Sequence, residues 1–217
     1  MSGTSDSGAV PAAPVLTTPQ EWRKYLREYS ELYLRTADEY QRRALEPEQE
    51  ATRWMGHEPA AEEAVLSAEQ RLGVRFPPML RSFLLTSNGW SGVGGWVDLV
   101  YPCERVSWMR DTDGGSDLIG TYRDFSDEDD EYLKLFQLSL EIASGEDFWL
   151  LDPTQTGPDG EWAAYLYEPK YGELEEFAGF VELFHASWRD METSGGKRPV
   201  VRGARSGAEP PLDAVGE

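Results

Sequence analysis

Apolar positions recur at helical spacing early in the chain. Trp22, Tyr25, Leu26, Tyr29, Leu32 and Tyr33, with Tyr40 two turns on, draw one aromatic stripe. Thr18-Pro19-Gln20-Glu21 opens it with a capping threonine, a proline suited to the first helical position and a glutamate placed for a capping box. The pattern predicts one helix of about seven turns, ended by Glu46-Pro47 because the residue before a proline disfavours helix. A second helix is expected from Ala60 to Leu72, with Gly73 as left-handed cap. Beyond the extended link Val74–Pro78, a third helix turns Met79, Leu80, Phe83 and Leu84 inward and ends at Asn88-Gly89.

The middle of the chain changes period. Gly89 to Gly95 reads as a turn leading into a strand from Trp96 to Tyr101; it lacks the Lys-Ser/Thr pair of a phosphate loop and follows a helix. Pro102 starts a short helix through Val106 and Met109, and Asp117 to Phe125 forms another, with Leu118, Ile119, Tyr122 and Phe125 on one face. From Leu133 to Leu140 apolar residues on both faces predict a covered central strand. Phe148 to Asp152 and Glu161 to Tyr167 pair as a hairpin across Thr156-Gly157-Pro158-Asp159-Gly160. After Pro169 and Gly172 a closing helix carries Phe177, Phe180, Val181, Phe184, Trp188 and Met191. Helices first, then strands without helical crossovers between the later ones, indicate an α+β fold: an antiparallel-rich central sheet flanked by helices, with an N-terminal helical extension. The expected organisation is a disordered lead over 1–17, the extension over 18–56, an α+β domain over 57–192 and a disordered tail over 193–217.

Composition narrows the function classes. The 217 residues include 8 Trp, 10 Tyr and 8 Phe, enough for a packed core. No apolar run approaches the ~20 residues of a membrane span, and a single cysteine suits a reducing compartment, so a cytoplasmic location is expected. Forty acids against twenty bases give −20, which disfavours nucleic acid and anionic membranes as partners. Between Asp111 and Glu176 there are 19 acids against Arg123, Lys134 and Lys170, a net of −16, whereas Pro19 to His57 carries 8 acids and 7 bases. A local field of one sign steers a basic partner. The densest run, Asp124 to Glu131, has six acids in eight positions but no EF-hand pattern.

Several segments together resemble the SUKH superfamily, which contains yeast cell-wall regulators and many bacterial toxin-immunity proteins. Ala68-Glu69-Gln70-Arg71-Leu72-Gly73 is similar to that family's acidic helix ending in Leu-Gly. Phe76-Pro77-Pro78-Met79-Leu80-Arg81-Ser82-Phe83-Leu84 is similar to its Leu-Pro link and following helix, with Phe76 in place of the usual Leu. Asn88-Gly89, Leu150-Leu151-Asp152-Pro153, Asp159-Gly160-Glu161-Trp162 and Phe177 to Phe184 complete a likeness over about residues 57–192. The resemblance implies a non-enzymatic protein-binding domain of immunity or antitoxin type, without cofactor, whose target is a basic toxin domain, often a nuclease. The residues expected to meet such a partner are Asp127, Glu128, Asp129, Asp130, Glu161 and Trp162, the last two pointing to opposite sides of a strand.

Two other readings stay open. A regulatory or scaffold module could dock a cytosolic protein through the helix from Trp22 to Tyr40. A carboxylate-dependent hydrolase could pair Asp152 with Glu161. Nucleophilic catalysis has little material, since the histidines are His57 and His185 and Cys103 has no sequence partner.

Overall fold

The computed structural model describes residues 13–125 and 130–194. The architecture is α+β, as the patterning predicts. Helix α1 (Pro19–Thr36) starts as expected: the Thr18 hydroxyl accepts from the Glu21 N–H at 3.3 Å, and the Glu21 carboxylate accepts from the Thr18 N–H at 2.9 Å. The chain packs even before this cap, with Leu16 buried.

The long helix of the sequence reading is broken. Thr36 turns its hydroxyl back onto the Leu32 carbonyl at 2.9 Å, and Ala37 leaves helical geometry. Asp38 then caps a separate short helix, α2 (Glu39–Arg43), by accepting from the Gln41 N–H at 2.8 Å. Arg42 donates to the freed carbonyls of Leu34 and Ala37, so its side chain caps the break. Helix α3 (Pro47–Thr52) follows, then α4 (Glu62–Leu72) and α5 (Pro78–Leu84). Gly73 caps α4 at φ 74°.

One seven-stranded sheet follows, running β1 (Trp90–Gly94), β2 (Val97–Val100), β4 (Leu140–Gly145), β5 (Phe148–Thr156), β6 (Trp162–Glu168) and β7 (Glu173–Phe177); the two-residue β3 (Ser107–Trp108) pairs beside β2 on β4. All pairings are antiparallel. The glycine-rich stretch expected as a turn is itself mostly β1. Gly92 sits at φ 68°, and a Cβ there would come within 2.7 Å of the Tyr33 ring, so glycine lets α1 lie directly on the strand.

Three further expectations change. Pro102 begins a turn, not a helix, and β3 plus a 3-10 turn (Met109–Asp111) occupy the space before α6 (Asp113–Phe125). The stretch expected as a central strand is α7 (Glu131–Leu138): Asp130 caps it by accepting from the Leu133 N–H at 3.0 Å, and strand geometry begins only at Leu140. The closing helix α8 (Phe180–Ser194) begins later than expected because a turn at Gly172 sends residues 173–177 back along β6 as β7.

Helices cover both faces of the sheet. On one, α1, α5 and α8 pack around Trp22, whose ring centroid lies 5.3 Å from Phe83 and 5.7 Å from both Phe180 and Phe184. On the other, α6, α7 and the 3-10 turn enclose a smaller cluster of Met109, Ile119, Phe136, Leu150, Tyr165 and Tyr167. The Trp22-to-Tyr33 stripe therefore lies inside the larger core, and Tyr40, beyond the break, is exposed.

Candidate functional site: an acidic face beside the smaller core

The second helical layer carries the acids. Asp111, Asp113, Asp117, Asp124 and Glu131 are exposed on and around α6 and α7, and Glu173, Glu175 and Glu176 on β7. Sheet register joins only Glu176 to the first group; Glu175 and Glu173, opposite Leu166 and Glu168, take the other side of β7. Tyr167 stands opposite Leu174 and Tyr165 opposite Glu176, so the Leu174 and Glu176 side of β7 continues the surface that α7 packs against.

Tyr132 marks the meeting point. Its half-buried ring stacks on Tyr122, with centroids 5.8 Å apart and planes within 10°. Its phenol is pushed above the ordinary value, first by burial and by Tyr122, then by Asp130, Glu173 and Glu131. Carboxylates from two distant stretches of chain thus act on one ring. Tyr165 is raised the same way, by burial first, then by Glu176 and, more weakly, Asp152. Phe125, expected on one face of α6 with Leu118, Ile119 and Tyr122, projects from the last residue of the helix at 77% exposure beside Asp124. An exposed aromatic bordered by acids is the kind of anchor recognition surfaces use; helical spacing alone had placed it on one face with Leu118, Ile119 and Tyr122.

The residues expected to contact a partner separate in the structure. Asp127, Glu128 and Asp129 lie outside the described residues. Asp130 sits on the acidic face but also caps α7. Glu161 is 3% exposed and Trp162 7% exposed, both turned into the packed interior. The Oε1 of Glu161 accepts from the Met79 N–H at 2.8 Å and so caps α5, whose Pro77 and Pro78 supply no side-chain cap. Its Oε2 is buried without a hydrogen-bond partner, and burial pushes the carboxyl up to about 7.

Asp152 is also buried, but satisfied. It accepts from the Thr154 N–H at 2.8 Å, the Thr154 hydroxyl at 2.7 Å and the Gln155 amide at 3.0 Å. These bonds brace the stretch of β5 where its register with β6 shifts, and the carboxylate acting on Glu161 is Asp159, not Asp152. Two surface clefts, one lined by Arg110, Ile119, Arg123 and Leu138 and the other by His57, Asn88, Leu99 and Pro102, include neither carboxylate.

Other reactive groups serve the scaffold. The Cys103 thiol is buried and pushed up to about 11, chiefly by burial and then by Glu104, conditions that suppress a thiolate. Glu141 is held by the hydroxyls of Tyr101 at 2.5 Å and Thr112 at 2.8 Å. Among the described residues no three His, Cys, Asp or Glu side chains are grouped to hold a metal ion, and no helix is long and apolar enough to cross a membrane.

The motif residues of the sequence likeness turn out to be fold-makers. Glu69 accepts from the Phe76 N–H at 3.0 Å and from Arg81, which also pairs with Glu62, locking α4 to α5. Arg71 donates to the carbonyls of Cys103, Glu104 and Val106; Asn88 accepts from the Cys103 N–H and donates to Glu104. Together they pin the loop that leads into β3. No curated protein matches the chain. The profile of the SMI1 / KNR4 family (SUKH-1) matches residues 59–191, a family of generally non-enzymatic immunity and regulatory domains whose members typically bind protein partners. With that match over more than half its length, and with this sheet and these motif contacts in place, the chain belongs to the SMI1 / KNR4 family.

Proposed function

We propose that this protein is an immunity- or antitoxin-like binding domain that neutralises a basic toxin domain in the cytoplasm by covering it with the α6–α7–β7 face. The observation that carries the reading is the Tyr132 ring, stacked on Tyr122 and edge-on to Tyr167 where α6 and α7 meet the sheet among exposed carboxylates, with Phe125 exposed at the end of α6. The sequence adds Asp127, Glu128 and Asp129 between Phe125 and Asp130. Carboxylates speed and orient the encounter with a positively charged surface, and the aromatics supply the buried contact that slows dissociation. A nuclease active site, basic because it holds phosphates, is blocked by occlusion. A regulatory role would use the same face, since the alternative docking stripe on α1 is packed into the core.

The test replaces Asp130→Asn, Glu131→Gln and Glu173→Gln together. Asparagine keeps the α7 cap, so charge is removed without removing the helix start. The expected result is a basic protein domain retained by the wild type at low salt, released as salt rises, and held at least about tenfold more weakly by the triple variant. Equal retention by both proteins would exclude this face.

A further inference from the structure

We infer that the outer edge of β7 is a strand-addition site for an extended, basic segment of the partner. The inference rests on the acidic-face reading above and supplies its mode of contact. The sheet ends at β7, and among the described residues the hydrogen-bonding groups on its outer side have no strand partner.

The two edges of the sheet are treated differently. At β1 the edge is closed: Gly56 forms a bridge with Trp90, and the Ser91 N–H donates to the Met55 carbonyl at 3.0 Å. Gly92 and Gly94, both at positive φ, further distort that strand. At β7 the five residues Glu173 to Phe177 pair with β6 in unbroken register, whereas the β1–β2, β2–β4, β4–β5 and β5–β6 pairings each carry a shift. Among the described residues no proline, bulge or covering segment blunts it. A regular, unpaired edge invites another chain unless something repels it.

The repelling element here is charge of one sign. Glu173 and Glu175 share one side of the strand and Glu176 takes the other, all three exposed. A second copy of β7 would set glutamates against glutamates, which disfavours self-association. An incoming strand with lysine or arginine at alternate positions reverses that term, setting its basic side chains along the side that carries Glu173 and Glu175. Backbone pairing supplies the affinity and the alternating charge the selection. The same edge thus excludes its own kind and admits a basic one.

The test uses the full chain and a peptide about eight residues long that alternates lysine with valine or threonine. A companion peptide of the same sequence carries N-methyl groups on the alternate backbone amides of one edge, which keeps every charge and removes the strand hydrogen bonds. The parent peptide is expected to slow amide exchange across residues 173–177, and the N-methylated peptide to bind about tenfold more weakly or worse. Two results overturn the inference while leaving the acidic face standing: equal, salt-sensitive binding of both peptides, or exchange protection that omits β7. Self-association of the free chain through β7 also overturns it. Failure of both peptides to bind at low salt counts against the acidic-face reading as well.

Discussion

The two helical layers cover opposite faces of one sheet with opposite material. The layer of α1, α5 and α8 is built on aromatic rings meeting edge to face around Trp22, in a stretch of near-balanced charge at its N-terminal end. The layer of α6 and α7 encloses few residues, leaves Tyr122 and Tyr132 half-buried, and is surrounded by carboxylates. Burying large apolar surface stabilises a fold; gathering like charges costs stability, so it needs another reason to persist. The first layer makes the domain stand, and the proposed function assigns partner contact to the second.

The largest effect follows directly. Trp22→Ala, at a fully buried ring with four aromatic neighbours, is expected to cost about 3–5 kcal/mol in chemical denaturation. Tyr132→Ala on the other layer should cost about 1–2 kcal/mol because the ring is only half buried. If the two costs were equal, the division of labour between layers would be wrong. The same contrast predicts that removing residues 1–56 abolishes folding, since α1 supplies part of the core although it precedes the family match at residue 59.

A smaller effect singles out the joint between the larger layer and the sheet. Glu161 caps α5 from the start of β6, with its carboxyl raised from an ordinary 4.5 to about 7. A carboxyl whose folded pKa exceeds its unfolded value holds its proton more tightly in the native chain. The native state therefore loses stability as pH climbs from about 4.5 through about 7, and no more above that window. Glu161→Gln keeps the acceptor for the Met79 N–H and abolishes the titration. It should be more stable than the wild type at pH 8.5, by on the order of 2 kcal/mol, and lose that advantage at pH 4.5. Thermal unfolding at the two pH values measures it.

What the sequence disclosed depended on how local each signal was. The Thr18–Glu21 cap, Gly73 and the hairpin turn at Asp159-Gly160 are settled within a few residues, and they appear where expected. Helix α7 was misread because Tyr132, Leu133, Leu135 and Phe136 satisfy both periods; Asp130 as N-cap was the signal that separates them. Strand β7 was missed because three glutamates in five residues oppose strand propensity, and only pairing with β6 overrides it. The acid excess after Asp111 was visible in the composition. Its convergence on Tyr132 was not, because it depends on the β6–β7 register and on α7 being a helix.

That convergence makes the finest prediction, and the one that separates a gathered field from scattered charge. Burial is the leading cause of the raised Tyr132 phenol, so neutralising Asp130, Glu131 and Glu173 should lower its pKa toward 10.0 without reaching it. Salt should do part of the same in the wild type, since exposed carboxylates are screened while burial is not. Tyr101 is the internal control. Its phenol is pushed up to about 12 by burial and by its hydrogen bond to the buried Glu141, a partner that salt reaches poorly. Titration followed by NMR of ring-labelled tyrosine should show Tyr132 moving with salt and with the triple variant, while Tyr101 holds. If Tyr132 ignores both, the carboxylates of α7 and β7 do not act together, and the face loses the feature that distinguishes it from an ordinary solvated surface.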